Sequence, residues 1–307
     1  MERKDFISLT GLTSMGLMFP SEIIGKSTAY KNKISLAQWS MNKSFFSGKK
    51  SALNFPRYAA ELGFDGVEYV NQFYFDYLKS GSVSSQNVKV LAKKLKQNAK
   101  ENDIDNVLIM VDHEGELASS ESKKISNSIN QHKKWLELAA ELDCESVRVN
   151  LSGSNDPDEW VERSVDGLTG LAEFAKQHNL NIIVENHGGL SSNGKLLAKV
   201  MKKTNLENCG TLPDFGNFCI EGGYGECEEW YDMYKGVAEL MPYAKSVSAK
   251  TYNFDSEGNE TKIDYNKMMK IVKDYNYKGF IGVEYEGYNL SETDGILATK
   301  KLIKRFI

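Results

Sequence analysis

The 307-residue sequence has little of what several common classes of protein require. It contains only four histidines and four cysteines, with no Cys-x-x-Cys pair, which argues against a zinc finger or zinc ribbon. Its 38 basic residues are outnumbered by 42 acidic ones, so a basic surface for nucleic acid is not expected. No apolar run approaches the roughly 18 residues of a membrane-spanning helix. We therefore expect no nucleic acid partner and no membrane span.

The cysteines allow one expectation about the state of their thiols. Free cysteines are commonly buried and behave as small apolar side chains, so free thiols are favoured over disulfides. The four are Cys144, Cys209, Cys219 and Cys227. Only Cys219 and Cys227 are close enough along the chain to suggest a local disulfide, and this pairing is the alternative.

The first 29 residues differ from the rest of the chain in pattern. Arg3 and Lys4 precede a mostly small or apolar stretch that runs to Phe19, and residues 27–29 are small, as a signal peptidase requires. Segment 1–29 resembles a twin-arginine export signal with Lys4 in place of the second arginine. It predicts a periplasmic protein that begins at residue 30. A short helix or leader on a cytoplasmic protein is the alternative.

Short apolar runs alternate with amphipathic segments through the rest of the chain. Each run is as apolar as a strand buried on both faces. The predicted strands are 34–39, 66–70, 106–111, 146–151, 181–184, 209–212, 245–249 and 280–283. The segments with helical periodicity are 53–62, 88–99, 125–142, 157–178, 194–204, 227–241, 268–275 and 292–306. Segments 112–124 and 216–226 are predicted to be long loops that follow strands.

Eight strands that alternate with eight helices predict either a closed barrel or an open sheet covered by helices on both faces. The count of eight and the length of segment 30–307 favour a single-domain (β/α)8 TIM barrel, an α/β fold. No Gly-x-Gly-x-x-Gly motif follows the first strand, which argues against an open dinucleotide-binding sheet.

Carboxylates stand at the ends of three predicted strands. Glu185, Asp214 and Glu284 follow the fifth, sixth and eighth runs. Active sites of TIM barrels lie at the carboxyl ends of the strands, where these side chains would meet and repel one another. Hard divalent cations prefer oxygen ligands and would relieve the repulsion. We therefore predict a metal cluster, with separate surface salt bridges as the alternative.

Other polar or aromatic side chains near the strand ends are candidates for contact with a substrate. They are Trp39, Glu68, His113, Arg148, Asn150, His187, Asn217, Lys250 and Glu286. Several of them share a strand face with another candidate, because residues two apart point the same way. For two of them the sequence leaves two interpretations open. His113 is either a pocket residue or a loop residue, and Trp39 either stacks on a sugar ring or closes the bottom of the barrel.

Three segments resemble the xylose isomerase-like barrel superfamily, and in particular its sugar phosphate isomerase/epimerase branch. They are 183–189 (IVENHGG), 213–217 (PDFGN) and 279–286 (GFIGVEYE), and the resemblance extends over residues 30–307. It implies a TIM barrel that holds one divalent ion (manganese, magnesium or cobalt). In this family the ligands are Glu, Asp, His and Glu from strands five to eight, and the two glutamates also move protons.

The resemblance assigns Glu185, Asp214 and Glu284 to three of the four ligand positions. It fails at the histidine, whose position in the seventh strand holds Ser248. The family often reads Val-His-Val-Lys-Asp where this chain reads Val-Ser-Ala-Lys-Thr. His187 or water would then complete the metal site, or Lys250 would supply the positive charge instead.

The resemblance implies a sugar isomerase or epimerase that acts on a small carbohydrate, with Glu185 and Glu284 as the catalytic pair. A lyase or deglycosidase that acts on 3-keto-glycosides by the same chemistry is the first alternative. A non-catalytic sugar-binding barrel is the second alternative, and the loss of the family's histidine at Ser248 favours it. The DNA-repair endonucleases of the superfamily need many histidines, and this chain has four. The sequence also leaves open whether the protein forms a homo-oligomer.

Overall fold

The computed structural model describes residues 32–78, 85–223 and 226–307. The predicted export signal over 1–29 lies outside these residues, so it stays a prediction. Within the described part of the chain, no helix is both long enough and apolar enough to cross a membrane.

In the described residues, eight parallel strands form one sheet, and two further strands form a separate antiparallel pair. In chain order these strands are β1 (Ile34–Ala37), β2 (Gly66–Val70), β3 (Asp105–Val111), β4 (Ser146–Val149), β5 (Asn181–Glu185), β6 (Cys209–Leu212), β7 (Cys219–Gly223), β8 (Glu226–Trp230), β9 (Val247–Thr251) and β10 (Ile281–Tyr285). The parallel strands are rich in valine and isoleucine and are almost entirely buried, as expected where helices cover a sheet.

The parallel sheet closes on itself. Its strands follow the order β6-β5-β4-β3-β2-β1-β10-β9. Backbone hydrogen bonds join the two ends, from Lys245 N to Thr211 O and from Ser248 N to Pro213 O, each 3.0 Å long. This seam consists of isolated bridges, whereas every other pair of neighbouring strands shares a ladder, with one register shift between β2 and β3. The prediction of a (β/α)8 barrel is confirmed.

Helices cover the outside of the barrel. They are α1 (Asn42–Phe46), α2 (Phe55–Glu61), α3 (Ser85–Glu101), α4 (Ser122–Glu141), α5 (Pro157–Lys176), α6 (Gly194–Thr204), α7 (Met233–Leu240), α8 (Tyr265–Asp274) and α9 (Glu292–Ile303). In α3 the apolar residues with helical spacing, from Val88 to Ala99, are the ones that the helix buries. The start of α5 is fixed by Asp156, whose side chain accepts a hydrogen bond from Glu159 N at 2.8 Å.

The prediction of a helix over 227–241 is wrong in its first part. Strands β7 and β8 form a hairpin there, and α7 begins only at Met233, after the N-cap residue Asp232. A disulfide links Cys219 to Cys227 across the hairpin, so the expectation of free thiols is wrong for this pair. Cys144 and Cys209 are free. The predicted loop over 216–226 therefore contains a strand.

The first strand ends earlier than predicted, at Ala37. A 3-10 helix (Gln38–Met41) and α1 follow it directly. Trp39 therefore lies beyond the carboxyl end of β1, so the interpretation that it closes the bottom of the barrel is wrong. It packs against the interior cluster of the barrel together with Phe73.

Candidate active site

The three predicted carboxylates meet at the carboxyl end of the barrel. Glu185 is the last residue of β5, Asp214 lies two residues beyond β6, and Glu284 is near the end of β10. One oxygen from each lies within 4.8 Å of the others, and all three residues are buried. The arrangement offers oxygen ligands of the kind that a hard divalent cation prefers.

Ser248 lies between two of these carboxylates. Its Oγ is 2.8 Å from Asp214 Oδ2 and 2.8 Å from Glu284 Oε2. A hydroxyl carries one proton and donates it to one acceptor at a time, so the second carboxylate oxygen needs a proton of its own or a cation. The other oxygen of Asp214 is held by the backbone N–H groups of Gly216 and Asn217, both at 2.8 Å.

Lys250 supplies positive charge to the same carboxylates. Its Nζ lies 3.1 Å from Glu284 Oε1, 3.6 Å from Asp214 Oδ2 and 3.0 Å from Glu286 Oε1. Burial alone would lower the pKa of Lys250, but the surrounding carboxylates outweigh it and raise that pKa well above its usual value. The ammonium group therefore stays charged in the site.

Arg148 is the second buried cation of the site. Its guanidinium contacts Asp112 Oδ1 at 2.6 Å and Glu185 Oε2 at 2.9 Å. The Nε–H is not aimed at Glu185, so this second contact is an ion pair without a well-formed hydrogen bond. Asn150 Nδ2 also donates to Asp112 Oδ1, at 2.7 Å. Burial would raise the pKa of Asp112, but Arg148 outweighs it and lowers that pKa.

Burial affects the three clustered carboxylates unequally. It raises the pKa values of Glu185 and Asp214, because the nearby cations offset only part of the cost of desolvation. The pKa of Glu284 is lowered, since Lys250 and the hydroxyl of Ser248 outweigh burial there. The cluster is thus short of positive charge, and a divalent cation would make up the difference.

Glu68 lies deeper in the barrel than the sequence suggested. It is fully buried two residues before the end of β2, and Ser35 Oγ donates to its Oε1 at 2.6 Å. Its Oε2 has no hydrogen-bond partner among the residues that the structure describes. A Cβ on Gly282 would lie 2.5 Å from Oε1, so any larger residue at position 282 would displace this carboxyl group. Burial raises the pKa of Glu68 to about 8.

This raised pKa predicts how stability depends on pH. The folded state holds a proton on Glu68 that the unfolded state has already lost, so the stabilisation present at low pH disappears as the pH rises toward 8. Glu68 alone contributes a slope of about 1.4 kcal/mol per pH unit between its usual pKa of 4.5 and about 8, and the raised pKa values of Glu185 and Asp214 add to the slope in the same direction. Glu68→Gln should reduce the slope in urea unfolding by about this amount relative to the wild-type protein, and the exposed Glu173→Gln should keep the full slope. An unchanged slope in Glu68→Gln would contradict the assignment.

The remaining candidates divide into those that reach the site and those that do not. Asn217 Nδ2 donates to Glu185 Oε1 at 2.9 Å, and Glu286 pairs with Lys250. His187 as a whole residue is exposed at the mouth, but protein around its ring removes water from it, and this desolvation together with Arg148 lowers its pKa and favours the neutral form. His113 is exposed in a left-handed conformation (φ 60°). Within the described residues, it forms no hydrogen bond with the other candidates.

Sequence reasoning overlooked Asp112, which joins Arg148 and Asn150 in one network. Gln72 Nε2 also donates to Asp112 Oδ2, at 3.3 Å. Asp112 directly follows β3, so its position at a strand end was the signal that could have found it.

Comparison with known proteins supports the barrel fold. Residues 56–306 match the family model of the xylose isomerase-like TIM barrel. The structure superposes on the 3-keto-D-glucoside 4-epimerase of E. coli with a TM-score of 0.64 and 16% identity, covering 90% of this chain and 100% of that one. A D-tagatose 3-epimerase-like protein superposes with a TM-score of 0.66 and 19% identity, covering 89% and 96% of the two chains. At such identities the superpositions show the fold alone.

A shorter match is closer in sequence. A segment of 77 residues, which is 24% of this chain, is 34% identical to the alpha subunit of a C-glycoside deglycosidase from Arthrobacter globiformis. The match spans 20% of that relative, about a fifth of its length. The family assignment rests on the match over residues 56–306, and by that match the chain belongs to the xylose isomerase-like TIM barrel family.

Proposed function

We propose that this protein is a sugar isomerase or epimerase that moves a proton at a carbon next to a carbonyl group. The observation that carries the proposal is the convergence of Glu185 and Glu284, together with Asp214, within 4.8 Å at the carboxyl end of the barrel. Strands β5 and β10 lie on different sides of the barrel. A sugar held between them therefore has one carboxylate to remove a proton and another to return one.

We also propose that Glu185, Asp214 and Glu284 hold a divalent cation, with manganese, magnesium or cobalt as candidates. Their buried oxygens and the shortage of positive charge around them support this assignment. When bound, such a cation stabilises negative charge that develops on a carbonyl oxygen. Ser248 adds no imidazole to this set, and its hydroxyl holds Asp214 and Glu284 in position instead.

The other polar residues orient the sugar. Arg148 and Asn150 present N–H groups beside Asp112, and Asn217 fixes one oxygen of Glu185. A neutral His187 at the mouth both donates and accepts hydrogen bonds, which suits a sugar hydroxyl. Lys250 balances Glu284 and Glu286, so that the carboxylates remain close together without a large repulsion.

Solvent exchange tests the proposal with a defined probe. Incubation of the manganese-loaded protein with methyl 3-keto-β-D-glucoside in D2O should place deuterium on a carbon next to the keto group, as followed by NMR. Chelation of the metal should slow this exchange by about a hundredfold or more, and added manganese should restore it, because stabilisation by a metal is worth several kcal/mol. Exchange that is absent with every metal tried, despite sugar binding, would favour the non-catalytic binding barrel.

A keto-glycoside lyase or deglycosidase is the second candidate, and the local similarity to a deglycosidase alpha subunit favours it. With a carbonyl at C3, removal of the C2 proton and cleavage of the bond from C1 to the glycosidic oxygen would release the alcohol. The electron pair of the C2–H bond becomes a C1=C2 double bond, and the departing oxygen takes a proton. The same incubation distinguishes the two reactions. Epimerisation leaves the methyl glycoside intact and deuterated, whereas elimination releases methanol.

A further inference from the structure

Three aromatic side chains form a continuous wall at the mouth of the barrel. Trp39 and Phe46 follow β1, Phe73 follows β2, and together we call them the aromatic wall. The ring centroids are 6.0 Å apart for Trp39 and Phe46, 6.2 Å for Trp39 and Phe73, and 5.0 Å for Phe46 and Phe73. Trp39 and Phe73 pack on the interior cluster of the barrel, whereas 60% of Phe46 is exposed.

The aromatic wall stands on a different side of the mouth from most of the polar residues. The wall follows β1 and β2, whereas β4 and the segments after β3, β4, β5 and β6 carry Asp112, Arg148, Asn150, His187 and Asn217. The mouth therefore has a mainly polar half and an apolar half, and the two meet at Gln72, which precedes Phe73 and donates to Asp112 at 3.3 Å. A ligand that matches both halves has a polar part and an apolar part.

The extent of the aromatic wall indicates the size of the apolar part. One aromatic ring is enough to stack on the apolar face of a sugar, and Trp39 alone meets that need. The exposed ring of Phe46 lies beyond it. Tyr288, which is 86% exposed, continues the same rim after β10, with Lys43 Nζ lying 4.4 Å from its ring centroid. An exposed aromatic surface that continues a pocket is typical of a ligand-binding surface.

We infer that the aromatic wall binds an aryl group that is attached to the sugar, so that the substrate is an aryl glycoside of a keto-sugar. This inference rests on the proposed function, since it places the sugar between Glu185 and Glu284. The aryl group then covers Phe46 and Phe73 while the sugar hydroxyls meet the polar half of the mouth.

The test compares two probes that differ only in the group attached to the sugar. We expect kcat/KM for phenyl 3-keto-β-D-glucoside to exceed that for the methyl glycoside by about tenfold, since burial of one ring commonly contributes that much. Phe46→Ala should abolish most of this preference, and Phe46→Trp should retain it. Tyr275→Ala, an exposed aromatic residue that follows α8 at the opposite end of the barrel, should leave the preference unchanged. Equal kcat/KM values for the two probes in the wild-type protein would overturn the inference.

A binding measurement separates the inference from the proposed reaction. Calorimetry with unreactive phenyl and methyl β-D-glucosides reports the same preference without turnover. A phenyl preference that Phe46→Ala removes supports the aromatic wall even if no reaction is found. Turnover of both probes with no phenyl preference would contradict binding of an aryl group by the aromatic wall, and the proposed function would still stand. A change from a dimer to a monomer in Phe46→Ala, with no change in preference, would instead identify a contact between copies.

Discussion

Glu185→Gln and Glu284→Gln are each expected to lower kcat by about a hundredfold or more. Each removes a carboxylate that transfers a proton to or from the sugar, and such general acid–base contributions are about 10²–10⁴-fold. The amide keeps nearly the same shape, so the fold should persist. The measurement is the rate of deuterium exchange into methyl 3-keto-β-D-glucoside, with circular dichroism as the check on folding.

Two controls sharpen this result. Glu173→Gln makes the same chemical change on the exposed face of α5 and should leave the exchange rate unchanged. Saturating manganese tests whether a variant fails only because it binds the metal weakly. Near-wild-type exchange in either variant, or full recovery at high manganese, would contradict a role in proton transfer.

Lys250→Met is expected to destabilise the metal-free protein by about 3–5 kcal/mol, because removal of one partner from a buried ion pair leaves the others unpaired. The side chain of Lys250 is 1% exposed, and its ammonium group is within 3.6 Å of Asp214, Glu284 and Glu286. Methionine has a similar length and no charge, so the variant isolates the loss of charge. Unfolding in urea measures the change.

The matched control is Lys270→Met in α8, which removes an exposed ion pair with Asp274. Exposed pairs of this kind contribute at most about 1 kcal/mol. Manganese should stabilise Lys250→Met more than the wild-type protein, because the cation would relieve a larger repulsion. If both lysine variants unfold at the same urea concentration as the wild-type protein, Lys250 does not hold the cluster together.

Most of the barrel could be predicted from the sequence because its strands are short, apolar and regularly spaced. That regularity also placed Glu185, Asp214 and Glu284 at strand ends, where the structure brings them together. The hairpin could not be predicted in this way. The residues of β8 are mostly exposed and show no alternation of burial, so its strand rests on pairing with β7 and on the disulfide.

Details of the site depend on distances that no sequence pattern carries. Ser248 was predicted only as a missing histidine, and its contact with two carboxylates follows from the pairing of β9 with β10 and from the bridge to Asp214. Glu68 was predicted as a substrate contact near the end of its strand. The predicted strand coincides with β2, but the carboxyl of Glu68 lies inside the barrel, where Ser35 donates to it.

The seam between β6 and β9 has a consequence for binding. Asp214 and Ser248 pair across it, so the carboxylate cluster lies where the sheet is held by isolated bridges. Strand pairs with few hydrogen bonds open more readily than continuous ladders. Asp214 follows β6 and Glu284 is in β10, so a ligand bound to both would also hold the two sides of this seam together. By thermodynamic linkage, binding of the ligand stabilises the closed seam by the same free energy by which closure of the seam strengthens binding.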